Sequence, residues 1–229
     1  MLYLVGTPIG NLGDITLRAL ETLRAVDVIA AEDTRHSLRL LGKYEIHKPL
    51  VSFHEHNEAR RTQELLGQLR EGKQVALITD AGLPSISDPG ARLVRACVAE
   101  GLPYTVIPGP SAVLTAVVGS GLSAETFRYG GFLPVKSGGR ERDVAAAIAR
   151  EETSVFFESP HRLEKTLEVL ARLAPERQVC VARELTKQFE EFRRGTAGEL
   201  LAHYQAHPPK GEITLVIAGT DEWVEKGER

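Results

Sequence analysis

Short apolar runs alternate with amphipathic stretches along the chain, and this alternation sets the expected elements. In the first half, Leu2 to Gly6, Val26 to Ala31, Leu50 to Phe53, Val75 to Thr79 and Tyr104 to Ile107 read as strands. Between them, Thr16 to Ala25, Thr34 to Tyr44 and Asn57 to Glu71 carry apolar residues at helical spacing. Brief apolar runs separated by helices imply strands covered on both faces, hence an α/β domain with a mostly parallel five-stranded sheet. Ser87-Asp-Pro-Gly predicts a helix start with Asp88 as N-cap and Pro89 at the first helical position, and Gly101 closes that helix. Pro108-Gly-Pro-Ser-Ala then turns into an apolar helix ending near Gly119 and Gly121.

The second half reads as a helix over 141–151, a strand from Ser154 to Glu158, a helix from Pro160 to Leu173, and strands from Val179 to Arg183 and from Glu191 to Arg194. A helix from Ala197 to His207 and a strand from Glu212 to Ala218 complete it, and the adjacent strands near 180 and 192 suggest a mixed sheet. Ser120 to Thr126 lacks a period, and Lys136 to Arg142 is polar, glycine-bearing and expected to be mobile. The junction is placed there, with domains over 1–119 and 120–229.

Composition narrows the class. With 229 residues and 42% hydrophobic content, the chain can bury its cores without a metal or disulfides. Cys97 and Cys180 lie among Val and Ala in periodic segments, which suits buried thiols in a reducing, cytoplasmic protein. No apolar run approaches the ~20 residues of a membrane helix, so no membrane association is expected, and the chain reads as soluble and unprocessed. Lys and Arg number 28 against 31 Asp and Glu, a net charge of -3, which excludes a strongly basic nucleic-acid binder. Local basic faces remain open at Arg35 with Arg39, Arg60 with Arg61, Lys136 with Arg140 and Arg142, and Arg193 with Arg194. Each also fits a solvated surface of mixed sign.

Ligands of open α/β sheets gather at the carboxyl ends of strands, so the loops leaving the strands carry the candidate chemistry. Four are distinctive: Gly6-Thr-Pro-Ile-Gly-Asn, Glu32-Asp-Thr-Arg35, Thr79-Asp-Ala-Gly-Leu-Pro-Ser-Ile-Ser-Asp88 and Pro108-Gly-Pro-Ser. Gly6, Gly10 and Gly13 permit close approach by a ligand or another strand, and Pro8 stiffens the turn. Neither a dinucleotide fingerprint nor a P-loop is present, and a plain turn fits equally well. Asp80, beside Gly82 and Pro84, suits a ribose hydroxyl or an ammonium group, or a helix-capping turn.

Together with Phe156-Phe-Glu-Ser-Pro-His-Arg162, Arg183-Glu-Leu-Thr-Lys187 and Gly211-Glu-Ile-Thr-Leu-Val-Ile, these loops resemble the tetrapyrrole methylase superfamily, the class III S-adenosylmethionine methyltransferases. The loops at Gly6 to Asp14, Glu32 to Arg35, Thr79 to Pro84 with Ser87 to Gly90, and Ser159 to Arg162 are similar to those of its ribosomal branch, which methylates a cytidine 2′-oxygen in 16S rRNA. The resemblance implies two domains with S-adenosyl-L-methionine in the cleft between them, a homodimer, and 16S rRNA or the small ribosomal subunit as partner. It also implies donor-binding roles for Pro8, Asp80, Ala81, Gly82, Leu83, Pro84, Pro108, Ser111 and Ala112, and for Phe156, Ala182, Arg183, Ile213 and Thr214. The branch often adds a helical extension after the last strand; this chain ends at Arg229, so the resemblance bears more on cofactor binding than on RNA docking. Gly13-Asp-Ile-Thr-Leu-Arg-Ala19 echoes the tetrapyrrole-modifying branch, which leaves ring C-methylation as an alternative, beside a non-catalytic S-adenosylmethionine-binding module.

Methyl transfer to a ribose hydroxyl requires positioning and a base or cation, but no metal. Glu32, Asp33, His54, Glu158, Glu184 and Lys187 are the groups of suitable type, and Glu32, Arg162 and Lys187 are taken as the catalytic candidates. Glu32-Asp-Thr-Arg35 also fits a helix cap, and Ser159-Pro160 a helix start. His54 and His56 are too few for a metal site. Lys187 serves as a base only if its pKa falls; otherwise it is a phosphate contact.

Overall fold

The computed structural model describes residues 1–220, and these form two compact units divided at Ser111 and Ala112. The first unit is a parallel sheet of β1 (Leu2–Val5), β2 (Val28–Ala31), β3 (Leu50–Ser52), β4 (Val75–Ile78) and β5 (Tyr104–Ile107), in the order β3-β2-β4-β1-β5. Its helices are α1 (Leu17–Ala25), α2 (Thr34–Lys43), α3 (Glu58–Arg70) and α4 (Ala91–Glu100), and Leu12–Asp14 is a turn of 3-10 helix. Every residue of β2 and β4 is buried, because alternate side chains enter two separate cores. Ala76 and Ile78 join Leu20, Leu23, Leu40 and Leu41 on one face, while Val75 and Leu77 join Leu65, Leu66, Leu93 and Cys97 on the other.

The second unit holds β6 (Phe127–Phe132), β7 (Thr153–Glu158), β8 (Gln178–Arg183), β9 (Glu191–Thr196) and β10 (Ile213–Ile217), in the order β6-β7-β10-β8-β9. β6 and β7 are parallel, and the remaining pairings are antiparallel, so the sheet is mixed. The helices α6 (Ser137–Ile148), α7 (Pro160–Leu173) and α8 (Ala197–Ala206) enclose one core around Leu163, Leu167, Leu200, Leu215 and Ile217. Thr196 and Glu199 close a capping box at the start of α8. The apolar helix α5 (Ala112–Ser120) contacts β7, β8, β9 and β10, whereas the sequence reading left it in the first domain. A Cβ on Gly119 would collide with the ring of Phe192 in β9, so that glycine lets helix and strand touch.

Three local expectations need correction. The helix after Ser87-Asp-Pro-Gly begins at Ala91, and Gly90, with φ of 136°, is its N-cap. Asp88 and Pro89 therefore belong to the turn before the helix. Lys136 to Arg142 is mostly the first turns of α6, since Arg140 is buried and anchors it. Finally, Phe127–Phe132 is an edge strand that its two adjacent glycines concealed. Cys97 and Cys180 are buried and unbridged, and burial pushes the Cys180 thiol up to about 11.

Candidate functional site

β1 and β4 are neighbours whose onward connections diverge, one leading to β2 and the other to β5 on opposite sides. Such a switch point opens a crevice beyond the carboxyl ends of the two strands. The loops leaving them meet there. Thr7 N donates to Gly82 O at 2.9 Å and Gly82 N to Thr7 O at 3.1 Å, while Thr7 Oγ1 donates to Thr79 O at 3.0 Å. Gly82 takes φ of 76°, which makes that bridge possible. A Cβ on Gly6 would stand 2.8 Å from Gly109 Cα, so the loop after β5 packs directly on the loop after β1. Gly6 is thus required by a second strand connection, the structural half of the sequence expectation. Pro8, Gly82 and Pro84 are buried in this cluster, Leu83 and Ser111 are half-buried, and Ala81 and Pro108 are exposed.

Carboxylates concentrate at this edge. Asp33 N donates to Asp80 Oδ1 at 3.1 Å, and Asp80 N approaches Glu32 Oε2 at 3.4 Å, so the loops after β2 and β4 hold each other. Asp33 caps α2, one of the two readings its motif left open, accepting from Arg35 N at 2.8 Å, and the Arg35 guanidinium lowers its pKa. Glu32 is raised by burial and by the negative charge of Asp80; the Asp80 N–H and nearby His54 oppose that rise. Asp88 is pushed up to about 7 by burial, then by Glu32 and Asp80, with only the nearby Thr79 side chain favouring the ionised form. Its turn is held firmly: Glu58 Oε1 accepts from Gly90 N at 3.0 Å, and Ser85 and Ser87 adopt φ of 74° and 64°.

In the second unit the candidates are already partnered. Arg162 Nη2 lies 2.8 Å from Glu158 Oε1, and its Nη1 donates to Leu133 O at 3.1 Å. Glu158 also accepts from Ser159 N at 2.7 Å and from Thr166 Oγ1 at 2.6 Å, and its side chain is wholly buried. Lys187 Nζ sits 2.8 Å from Glu184 Oε1 and 3.0 Å from Glu212 Oε2. Burial would lower its pKa, but these two carboxylates outweigh that and raise it, which keeps Lys187 protonated. Arg183 Nε pairs with Glu191 at 3.2 Å. Phe156, Ala182, Ile213 and Thr214 are buried in the sheet, where Thr214 stands opposite both Phe157 and Ala182.

Residues 1–201 match the family described as Tetrapyrrole (Corrin/Porphyrin) Methylases. The chain belongs to the tetrapyrrole methylase family. Within the curated relatives, it is 49% identical over 220 residues to the Thermotoga maritima protein named ribosomal RNA small subunit methyltransferase I, covering 96% of this chain and 99% of that one. A Bacillus subtilis (strain 168) protein of the same name is 45% identical over 221 residues, with 96% and 76% covered. Among solved structures, uroporphyrin-III-C-methyltransferase from Thermus thermophilus superposes with a TM-score of 0.65 at 24% identity, covering 95% of this chain and 93% of that one. At that identity the likeness concerns the tetrapyrrole methylase fold.

Sequence reasoning missed Asp88 as a chemical group. Asp-Pro-Gly is a persuasive helix start, and local capping explained the residue without a distant partner. The available signal was the crowding of acids on loops that must share one sheet edge, with Glu32 and Asp80 leaving adjacent strands. His54, one of the groups of suitable type for the chemistry, engages Asn57 Nδ2 through its ring at 3.0 Å. His54 and His56 stand edge to face at 5.9 Å.

Proposed function

We propose that this tetrapyrrole methylase transfers a methyl group from S-adenosylmethionine to the 2′-oxygen of a cytidine in 16S rRNA of the small ribosomal subunit, in the cytoplasm and as a homodimer. The observation that carries the reading is near end-to-end likeness, at 49% identity, to a protein named ribosomal RNA small subunit methyltransferase I. The first unit's site suits the donor. Glu32, Asp80 and Asp88 form no ion pair among the described residues, and burial together with mutual repulsion raises two of them, so a ligand bearing ammonium and sulfonium charges would relieve the cluster. S-adenosylmethionine, when bound, supplies an electrophilic methyl group on sulfur.

Pro8, Asp80 to Pro84, Pro108 and Ser111 are the proposed donor-binding positions near the switch point, and Ala112, the first residue of α5, is a further one. Phe156, Ala182, Arg183, Ile213 and Thr214 are those proposed in the second unit. Asp88, titrating near neutrality, is the group proposed to take up the proton that leaves a ribose hydroxyl, at a carboxylate oxygen. Glu32 keeps that affinity high through its negative charge. Arg162 and Lys187 act by positioning: one fixes Leu133 and Glu158, the other joins Glu184 to Glu212. The reaction is tested by incubating the protein with labelled S-adenosylmethionine and undermethylated small subunits. Nuclease digestion should yield labelled 2′-O-methylcytidine; label in a uroporphyrinogen and none in RNA would replace this reading with ring C-methylation.

A further inference from the structure

The second unit carries a cationic feature that the chemistry above leaves unused. Between β6 and α6 the chain runs Phe132-Leu-Pro-Val-Lys-Ser-Gly-Gly-Arg140, and two guanidinium groups grip it. Arg162 donates to Leu133 O, and Arg140 Nη2 donates to Val135 O at 2.9 Å. Glu158 neutralises Arg162, but Arg140 forms no ion pair among the described residues. Arg140 is only 5% exposed, and its Nε finds no acceptor. A buried cation with an orphaned donor is costly, and an anion seated nearby would compensate it.

The adjoining helix end offers such a seat. Lys136 is the N-cap of α6, no side chain caps the helix, and no acidic residue occupies its first turn. The first backbone N–H groups, at Ser137, Gly138 and Gly139, therefore lack intrahelical acceptors at the positive end of the helix dipole. A Cβ on Gly138 would meet nothing within 4 Å, and its φ is not left-handed, so neither packing nor conformation demands glycine there. Gly42 and Gly67 are equally open, yet neither lies at a helix N-terminus. Lys136 is exposed, and Phe132, 60% exposed, rests edge to face on Phe157 with centroids 5.3 Å apart.

We infer that the N-terminus of α6, with Lys136 and Arg140, binds a backbone phosphate of single-stranded RNA, and that Phe132 offers an aromatic face to a neighbouring base. This rests on the reading of the substrate as RNA. A helix terminus and a lysine supply the anion contacts, and exposed aromatic faces stack on bases without reading sequence.

The test titrates the full chain with a short cytidine-containing single-stranded RNA at several salt concentrations, alongside calorimetry with S-adenosylmethionine and thermal unfolding. Lys136→Gln should weaken RNA binding about five- to tenfold and reduce the salt slope by about 0.7, the loss of one single-strand phosphate contact. Gly138→Ala is the sharper variant, since alanine favours the helix and should raise the unfolding midpoint while obstructing the phosphate and weakening RNA severalfold. Phe132→Ser should weaken binding with the slope intact. Cofactor affinity should not move in any of them. Native RNA affinity and slope in both Lys136→Gln and Gly138→Ala would overturn the site while leaving the RNA reading in place. An unaltered chain that neither binds nor methylates RNA would overturn that reading itself. Displacement of the RNA by micromolar inorganic phosphate would assign the site to the free anion, against the proposal.

Discussion

Glu32 and Asp88 of the first unit and Glu184 and Glu191 of the second live under opposite electrostatic conditions. At the strand ends of the first unit, burial and neighbouring carboxylates raise Glu32 and Asp88, and no Lys or Arg pairs with either among the described residues. In the second unit, burial would likewise raise Glu184 and Glu191, yet Lys187 lowers the first and Arg193 with Arg183 lowers the second. Glu32 and Asp88 are the more deeply buried and have like charges for neighbours, whereas Glu184 and Glu191 are shallower and have cations beside them, so the shifts run in opposite directions. Charges neutralised within the chain hold strands and turns together. The surplus of negative charge at the sheet switch point is what the proposed binding of a cationic donor and the proposed proton transfer rest on.

Breaking a neutralised pair should produce the largest effect. Arg162→Ala leaves the buried Glu158 without its cation and Leu133 O without its donor, and should cost about 3 kcal/mol in denaturant unfolding. A stability loss under 1 kcal/mol, accompanied by a large fall in methylation, would move Arg162 from a positioning role into direct chemistry.

The next effect has the opposite sign. Because the folded-state affinity of Asp88 for a proton exceeds that of the unfolded chain, this residue makes the fold less stable as pH rises from about 4 through about 7. Asp88→Asn removes that dependence. Below pH 4 the variant and the parent should be alike, and above pH 7 the variant should be more stable by roughly 1–2 kcal/mol, discounted for partial exposure. Its methyl transfer should fall on the order of a hundredfold. Equal stability at pH 8 would remove Asp88 from the repulsive cluster.

Lys187→Gln should do least, below about 1 kcal/mol, since Glu212 is well exposed and water replaces much of that pair. A large loss of RNA methylation with unchanged stability would show that Lys187 reaches substrate, and would narrow the contrast between the units.

Much of the fold was legible in the chain. The buried strands of the first unit announced themselves as continuous apolar runs, because covering helices on both faces leave no polar side to alternate. The strand Phe127–Phe132 did not, since Gly130 and Gly131 carry no side chain to pattern; a Cβ on Gly130 would strike the Phe156 ring, a requirement visible only across the sheet. The polar run Lys136 to Arg142 looked loose because its composition is that of a linker. Arg140 makes it a helix by burying its own charged side chain, an event that no hydropathy pattern anticipates.

The site divides in the same way. Sequence alone singled out the loops that leave the strands and the glycines that let them approach, because short-range backbone geometry and residue type are local properties. Tertiary structure alone decided which charges are neutralised. Arg162 and Lys187 look as free as Glu32 in one dimension, and Asp88 looks like a cap. Proton affinity depends on burial and on charges many residues distant along the chain, such as Glu32, Asp80 and Asp88 gathered at one sheet edge, so it exists only once the strands have been ordered.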